Sequence, residues 1–165
     1  MAAVEREFRD VAAYLGVPCG KITFNELVPV LNGKIKGLTT ILKYLTRESK
    51  NTSLFGNNAE DQAFIDQWLE YRVISLNTCS NEKELSNRLN ELNLYLRDNV
   101  YFVGNHITLA DVSIYHAVHG ILADMTYSEK ETQVHLSRWL NNMQQSSELR
   151  QSLPLLPFSK TLLYH

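Results

Sequence analysis

The side chains with the most chemistry to offer cluster around one helix start. Residues 104–111 read Gly-Asn-His-Ile-Thr-Leu-Ala-Asp. Thr108 can cap the exposed N–H groups, Asp111 three positions on is the reciprocal acid, and Ile107 with Val112 can close a hydrophobic staple. Asp111 also stands near Tyr115 and His116, a set that could move a proton, but the capping spacing makes it a fold-forming acid first. His116 and His119, three apart, can share a helix face; a metal would need further ligands, and no third arrives at a fitting spacing. Cys19 and Cys79 are far apart, with no partner spacing for a metal, and a chain without an export signal favours free thiols.

A long apolar-faced helix has to carry that cap, with Val118, Ile121 and Leu122 continuing its inner side to Ala123 and Asp124. Before it, Phe64, Ile65, Trp68, Leu69, Val73 and Leu76 predict one helix, with Trp68 packed inside as a structural residue. Leu85, Leu89, Leu92 and Leu96 predict another, and the turn formers of residues 77–81 separate the two. The leucine spacing is too short-lived for a coiled coil, so core packing is its use. Leu136, Trp139, Leu140 and Met143 predict a later helical face, and Pro154 and Pro157 predict an irregular or short-helical tail over residues 154–163, packed by Leu155, Leu156, Phe158, Leu162 and Leu163.

The N-terminal third reads differently. Val4, Phe8, Val11, Ala12 and Leu15 predict a helix with its charges on other sides, ended by Gly16, Pro18 and Gly20. Apolar runs at residues 22–24 and 27–31, closed by Asn32 and Gly33, predict a β-hairpin. Pro29 within it cannot donate to a ladder, so an edge, bulge or turn is expected. A helix capped at Thr39 or a neighbour follows, completing an α-β-β-α order in about 50 residues. Residues 50–59 read as a linker. The domains are therefore expected at 1–54, an α/β unit, and 58–165, an all-α unit, joined by a continuous interface because each alone has limited core.

The chain has 165 residues, 16 basic and 18 acidic side chains, and a formal net charge of −2. That balance gives no support to a nucleic-acid-coating surface or a polybasic membrane patch, and leaves direct nucleic-acid binding open only as a small local site. No stretch approaches the length of apolar sequence that crosses a bilayer, and no signal-like apolar run opens the chain. A cytoplasmic protein that also reaches the nucleus is expected. Asn51, Thr52 and Ser53 match a glycosylation triplet, accidental without secretion.

Two of these patterns resemble the glutathione transferase superfamily. Residues 104–111 are similar to the N-capping element of the core helix in its all-helical domain. Residues 27–31, Leu-Val-Pro-Val-Leu, followed by residues 37–41, Gly-Leu-Thr-Thr-Ile, resemble the Val-Pro strand and helix start of its thioredoxin-like half. The resemblance implies a cis proline at Pro29 and a truncated thioredoxin-like unit, since this chain opens on the helix without the preceding strand. The residue that strand would deliver to stabilise a glutathione thiolate is absent. Tyr14 and Cys19 are not at the catalytic position, and Leu38 stands where an acid or amide often precedes the helix start. A thiol requires a positioned donor or positive field to ionise at neutral pH, so the unit is read as non-catalytic, with no cofactor, no metal, and a small glutathione transferase or peroxidase as the enzyme alternative.

A narrower resemblance covers nearly the whole chain. Residues 28–30, 37–41, 66–72 (Asp-Gln-Trp-Leu-Glu-Tyr-Arg), 92–101, 104–111 and 137–139 (Ser-Arg-Trp) closely resemble the small transferase-like auxiliary subunits of the multi-aminoacyl-tRNA-synthetase complex. This implies a non-enzymatic scaffold that joins the transferase-like domains of methionyl-tRNA synthetase and glutamyl-prolyl-tRNA synthetase, and through them reaches scaffold subunit 2 of the complex. One face is expected on the helix from about residue 60, with Tyr71 and Arg72 exposed to a partner. The other carries an inter-subunit arginine onto Arg138. Roles in a nuclear DNA-damage response and initiator-tRNA delivery belong to the resemblance alone, and membership of the elongation-factor 1 exchange complex is the alternative binding role.

Overall fold

The computed structural model describes residues 1–159. Helix α1 (Ala2–Leu15) ends where Gly16 turns left-handed at φ 68° and its N–H reaches back to Ala13 O at 3.1 Å, while Val17 N–H closes on Ala12 O at 3.0 Å, a glycine-terminated helix end. Strands β1 (Ile22–Asn25), β2 (Val28–Leu31) and β3 (Ile35–Lys36) follow in one antiparallel sheet of order β1-β2-β3. Next come α2 (Leu38–Glu48) and a 3-10 turn (Thr52–Phe55). Then α3 (Ala59–Tyr71) runs into a π-helical turn (Arg72–Leu76). The helices α4 (Glu82–Arg97), α5 (Leu109–Asp124), α6 (Tyr127–Thr132), α7 (Val134–Gln144) and α8 (Ser147–Arg150) complete the described chain. No described helix is long and apolar enough to cross a membrane.

The fold is α/β followed by all-α, a small sheet-and-helix unit and a larger helical domain, over one continuous apolar core. Phe8, Leu31, Ile41, Leu42 and Leu45 from the first part and Leu69, Leu92, Leu96, Ile114, Val118, Trp139 and Met143 from the second belong to the same buried cluster. Helix α5 lies at its centre, packed by α2, α3 and α7.

Several local expectations need correction. Asn32 and Gly33 do not close the sheet. Both take positive φ, 52° and 71°, and Lys34 N–H returns to Leu31 O at 3.1 Å, the mirror-image turn that suits a hairpin. A third strand follows. Pro29 is consequently on the central strand, not on an edge. It is tolerated because β3 ends opposite it: Gly37 N–H donates to Pro29 O at 2.9 Å, while Gly37 O, which a ladder N–H at position 29 would seek, accepts from Ile41 N at 3.0 Å and starts α2. The N-cap of α2 is therefore Gly37, with no side-chain cap, and Thr39 does not serve. The stretch at 50–59 is partly structured, with Leu54 buried in the core. Phe64 and Val73 face solvent while Ile65, Leu69 and Leu76 are buried, because the 65, 69, 72, 76 spacing picks out a narrower stripe. Glu7 and Asp10 of α1, expected on its outer sides, are buried too.

The tail packs by polar as well as apolar groups. Leu156 is buried and Phe158 half-buried, but Leu155 is exposed; Leu162 and Leu163 lie outside the described residues. His119 on α5 is buried, and its Nε2 donates to Pro154 O at 2.9 Å. Burial holds its imidazole below the ordinary histidine value, against the raising effect of that hydrogen bond. A histidine kept neutral in the fold but free to charge in the unfolded chain lets the unfolded state bind more protons, so stability falls as pH drops below about 6.5. Thermal melts of His119→Gln are expected to show a flatter pH dependence than wild type between about pH 7 and 5; parallel curves would remove His119 from that acid sensitivity.

Candidate functional site

A buried framework at the start of α5 fixes the surfaces around it. Thr108 and Asp111 form a capping box at the start of α5, and the Asp111 carboxylate gathers four donors. Its Oδ2 accepts from Thr108 N at 3.1 Å and Thr108 Oγ1 at 3.2 Å; its Oδ1 accepts from Phe102 N at 3.1 Å and Trp139 Nε1 at 2.9 Å. Burial pushes this carboxyl up, and these donors oppose it, Trp139 foremost. Asp111 and Thr108 are fully buried. The group therefore ties three segments together and offers no face to a substrate. The bonds to Phe102 and Trp139 connect α5 with the α4–α5 loop and α7; nothing in local spacing announces them.

The surface expected around α3 is divided by burial. Tyr71 is half-buried, its OH donating to Glu91 Oε2 at 2.8 Å. Burial and that bond raise its pKa well above the ordinary tyrosine value, so it acts as a neutral donor. Trp68, expected inside, is half-buried: its ring meets those of Tyr71, Tyr95 and Phe102 edge-on at 5.3, 4.8 and 4.7 Å between centroids. Arg72 corrects the expectation of an exposed partner-facing residue. It is 3% exposed, with Nη1 and Nη2 forked onto Glu7 of α1, the second contact at 2.6 Å. Nη1 also donates to Ser113 O at 2.9 Å and Ser113 Oγ at 3.0 Å. The reason lies in periodicity: Arg72 falls on the 65, 69, 72, 76 stripe and Glu7 on the 4, 7, 8, 11 stripe, so each helix turns one charge inward to meet the other.

Arg138 is exposed on α7 and anchored, not loose. Its Nη2 donates to Leu96 O at 2.6 Å, a carbonyl in the last turn of α4 that lacks a helical partner, and to Asn99 O at 3.1 Å in the loop just beyond. Among the described residues it has no carboxylate partner. A depression of about 360 Å³ lies beside it, lined by Lys130, Ser137, Asn141 and Phe158 among others; Lys130 Nζ is 5.5 Å above the Phe158 ring and donates to Pro157 O at 3.4 Å. The positive charge of Arg138 is thus presented to solvent at a fixed position.

The residues that could have supplied transferase chemistry are not tuned for it. Burial raises both the Cys19 thiol and the Tyr14 phenol, the wrong direction for a thiolate or a readily ionised phenol. Every peptide bond among the described residues is trans, which corrects the cis proline implied by resemblance: Pro29 stays in the plane of the ladder, opposite Phe24. Among the described residues no group of three or more His, Cys, Asp or Glu side chains could hold a metal.

Together these elements define a protein of the glutathione transferase fold. A delta-class glutathione transferase from Nilaparvata lugens superposes with a TM-score of 0.72 over 90% of this chain and 87% of its own, at 19% identity. Residues 61–147 match the Arc1p_N_like family model, described as nuclear-export cofactor Arc1p. Mouse eukaryotic translation elongation factor 1 epsilon-1 is 38% identical over 141 residues, covering 83% of this chain and 81% of that protein. The mouse bifunctional glutamate/proline–tRNA ligase is 32% identical over 114 residues, 68% of this chain but 7% of the ligase. The chain belongs to the family of eukaryotic translation elongation factor 1 epsilon-1.

Proposed function

We propose that this chain is a non-catalytic scaffold of the multi-aminoacyl-tRNA-synthetase complex, joining methionyl-tRNA synthetase and glutamyl-prolyl-tRNA synthetase through their transferase-like domains. The observation that carries the reading is Arg138: an exposed guanidinium fixed by two backbone carbonyls of its own chain and lacking an acid among the described residues. Such a group is ready to pair across an interface at small entropic cost. Similarity to a segment of a synthetase chain supports pairing between like folds. Two separable faces, α3 with Tyr71 and α7 with Arg138, would hold two enzymes at high local concentration without covalent chemistry. Scaffold subunit 2 is reached through the second enzyme, and the setting is the cytoplasm, with the nucleus as a second location.

Purified Arg138→Ala is expected to lose affinity for the glutamyl-prolyl enzyme by about 2–5 kcal/mol if a buried partner carboxylate is stranded, while the methionyl enzyme still binds. Calorimetric titration of each synthetase separately against folded variant protein reads this directly. Wild-type affinity for both partners after the substitution would take Arg138 out of the interface. Recovery of elongation-factor exchange subunits in place of synthetases from native lysate would favour the alternative complex.

A further inference from the structure

We propose that the cleft between α3 and α4 receives an arginine side chain of a partner protein, its guanidinium packed against the aromatic wall at Trp68 and forked to Glu91. The inference rests on the scaffold reading, since it names what the α3 face recognises. The cleft encloses about 220 Å³ and is lined by Gln67, Trp68, Tyr71, Glu91 and Tyr95, room for one planar head group and part of its stem. Three of its five lining side chains are aromatic, one is a carboxylate and none is basic. Aromatic faces beside an acid attract a cation through the ring quadrupole and direct charge together.

The walls are fixed before any partner arrives. Tyr95 OH donates to Phe102 O at 2.7 Å and Tyr71 OH to Glu91 at 2.8 Å, and the Trp68 ring is wedged between the two tyrosines. Glu91 already takes a guanidinium: Arg88 Nη1 lies 2.9 and 3.1 Å from its two oxygens. Both side chains of that pair are well exposed, 39% and 50%, and an exposed pair of this kind is worth little, so an incoming arginine can displace it. A purely apolar side chain would cover Glu91 and Gln67 without pairing them, which is costly. A lysine would satisfy the charge but has no planar face to stack.

The two tryptophans are Trp68 and Trp139; Trp139 is buried, so emission changes caused by a small ligand report on Trp68. Wild-type protein titrated with N-acetylarginine N-methylamide is expected to show a saturable emission change that Trp68→Phe abolishes. The citrulline analogue, equal in shape and uncharged, is expected to bind about tenfold more weakly, and the lysine analogue about threefold more weakly. Glu91→Gln, which keeps an acceptor for Tyr71 OH and removes the charge, weakens arginine binding, and Arg88→Ala strengthens it by removing the competitor. Absence of saturation, or equal binding of arginine with citrulline or with lysine, overturns the proposal. Titration of methionyl-tRNA synthetase against wild type and Glu91→Gln separates the two readings. If the synthetase fails to bind wild-type protein, the scaffold reading fails irrespective of the arginine result; if it binds both forms equally, the scaffold stands and the cleft does not serve it.

Discussion

Asp111→Ala is expected to destabilise the protein by on the order of 4 kcal/mol, a large part of a typical domain's total stability. The carboxylate it removes accepts from Phe102 N, Trp139 Nε1 and both Thr108 donors, and the first two would be stranded inside the core. Thr108→Ala, which deletes one donor and leaves the carboxylate to the others, is expected to cost only about 0.5–2 kcal/mol. Urea unfolding of the two variants separates the roles. Equal losses would reduce Asp111 to a helix cap and nothing more.

The second large effect is at the buried ion pair. Glu7→Ala leaves the Arg72 guanidinium without its carboxylate at a site closed to solvent, and a stability loss of about 3–5 kcal/mol is expected. The double variant Glu7→Leu/Arg72→Met removes both charges and fills the space with apolar groups, so it is expected to recover most of that loss. Far-ultraviolet melts of the single and double variants provide the check. A double variant as unstable as the single one would mean that Ser113, which also accepts from Arg72, and not the pairing of opposite charges, organises this contact.

These two sites also mark how far the sequence could be read. The cap at residues 104–111 is legible in the sequence because Thr108 and Asp111 lie within one helical turn. Its longer bonds are not, since an acid gives no sign of which distant indole will meet it. Arg72 and Glu7 look like surface residues by charge alone, yet each sits on the stripe its own helix buries. Asn32 and Gly33 can end a hairpin or start the next one, and here they start β3, in keeping with the preference of such a dipeptide for the tight hairpin turn. The place of Pro29 in the sheet is not legible locally, because it depends on where β3 stops. Arg138 is marked by resemblance alone, and its anchoring carbonyls at residues 96 and 99 lie at and just past the end of α4, some forty positions earlier and beyond the reach of local spacing.

The contacts of α1 have a consequence for the order in which the molecule can be made. This helix leaves the ribosome before the residues it pairs with: Glu7 waits for Arg72, and Asp10 for Ser152, whose hydroxyl reaches it at 2.6 Å across 142 positions of sequence. Helix α8 packs on α1 from the same late stretch. Until those residues emerge, α1 carries two carboxylates and the Phe8 ring on faces meant for the interior. Residues 1–54 therefore lack their full set of contacts during translation, and the inner face of α1 is completed only once the stretch around residues 147–152 has been made.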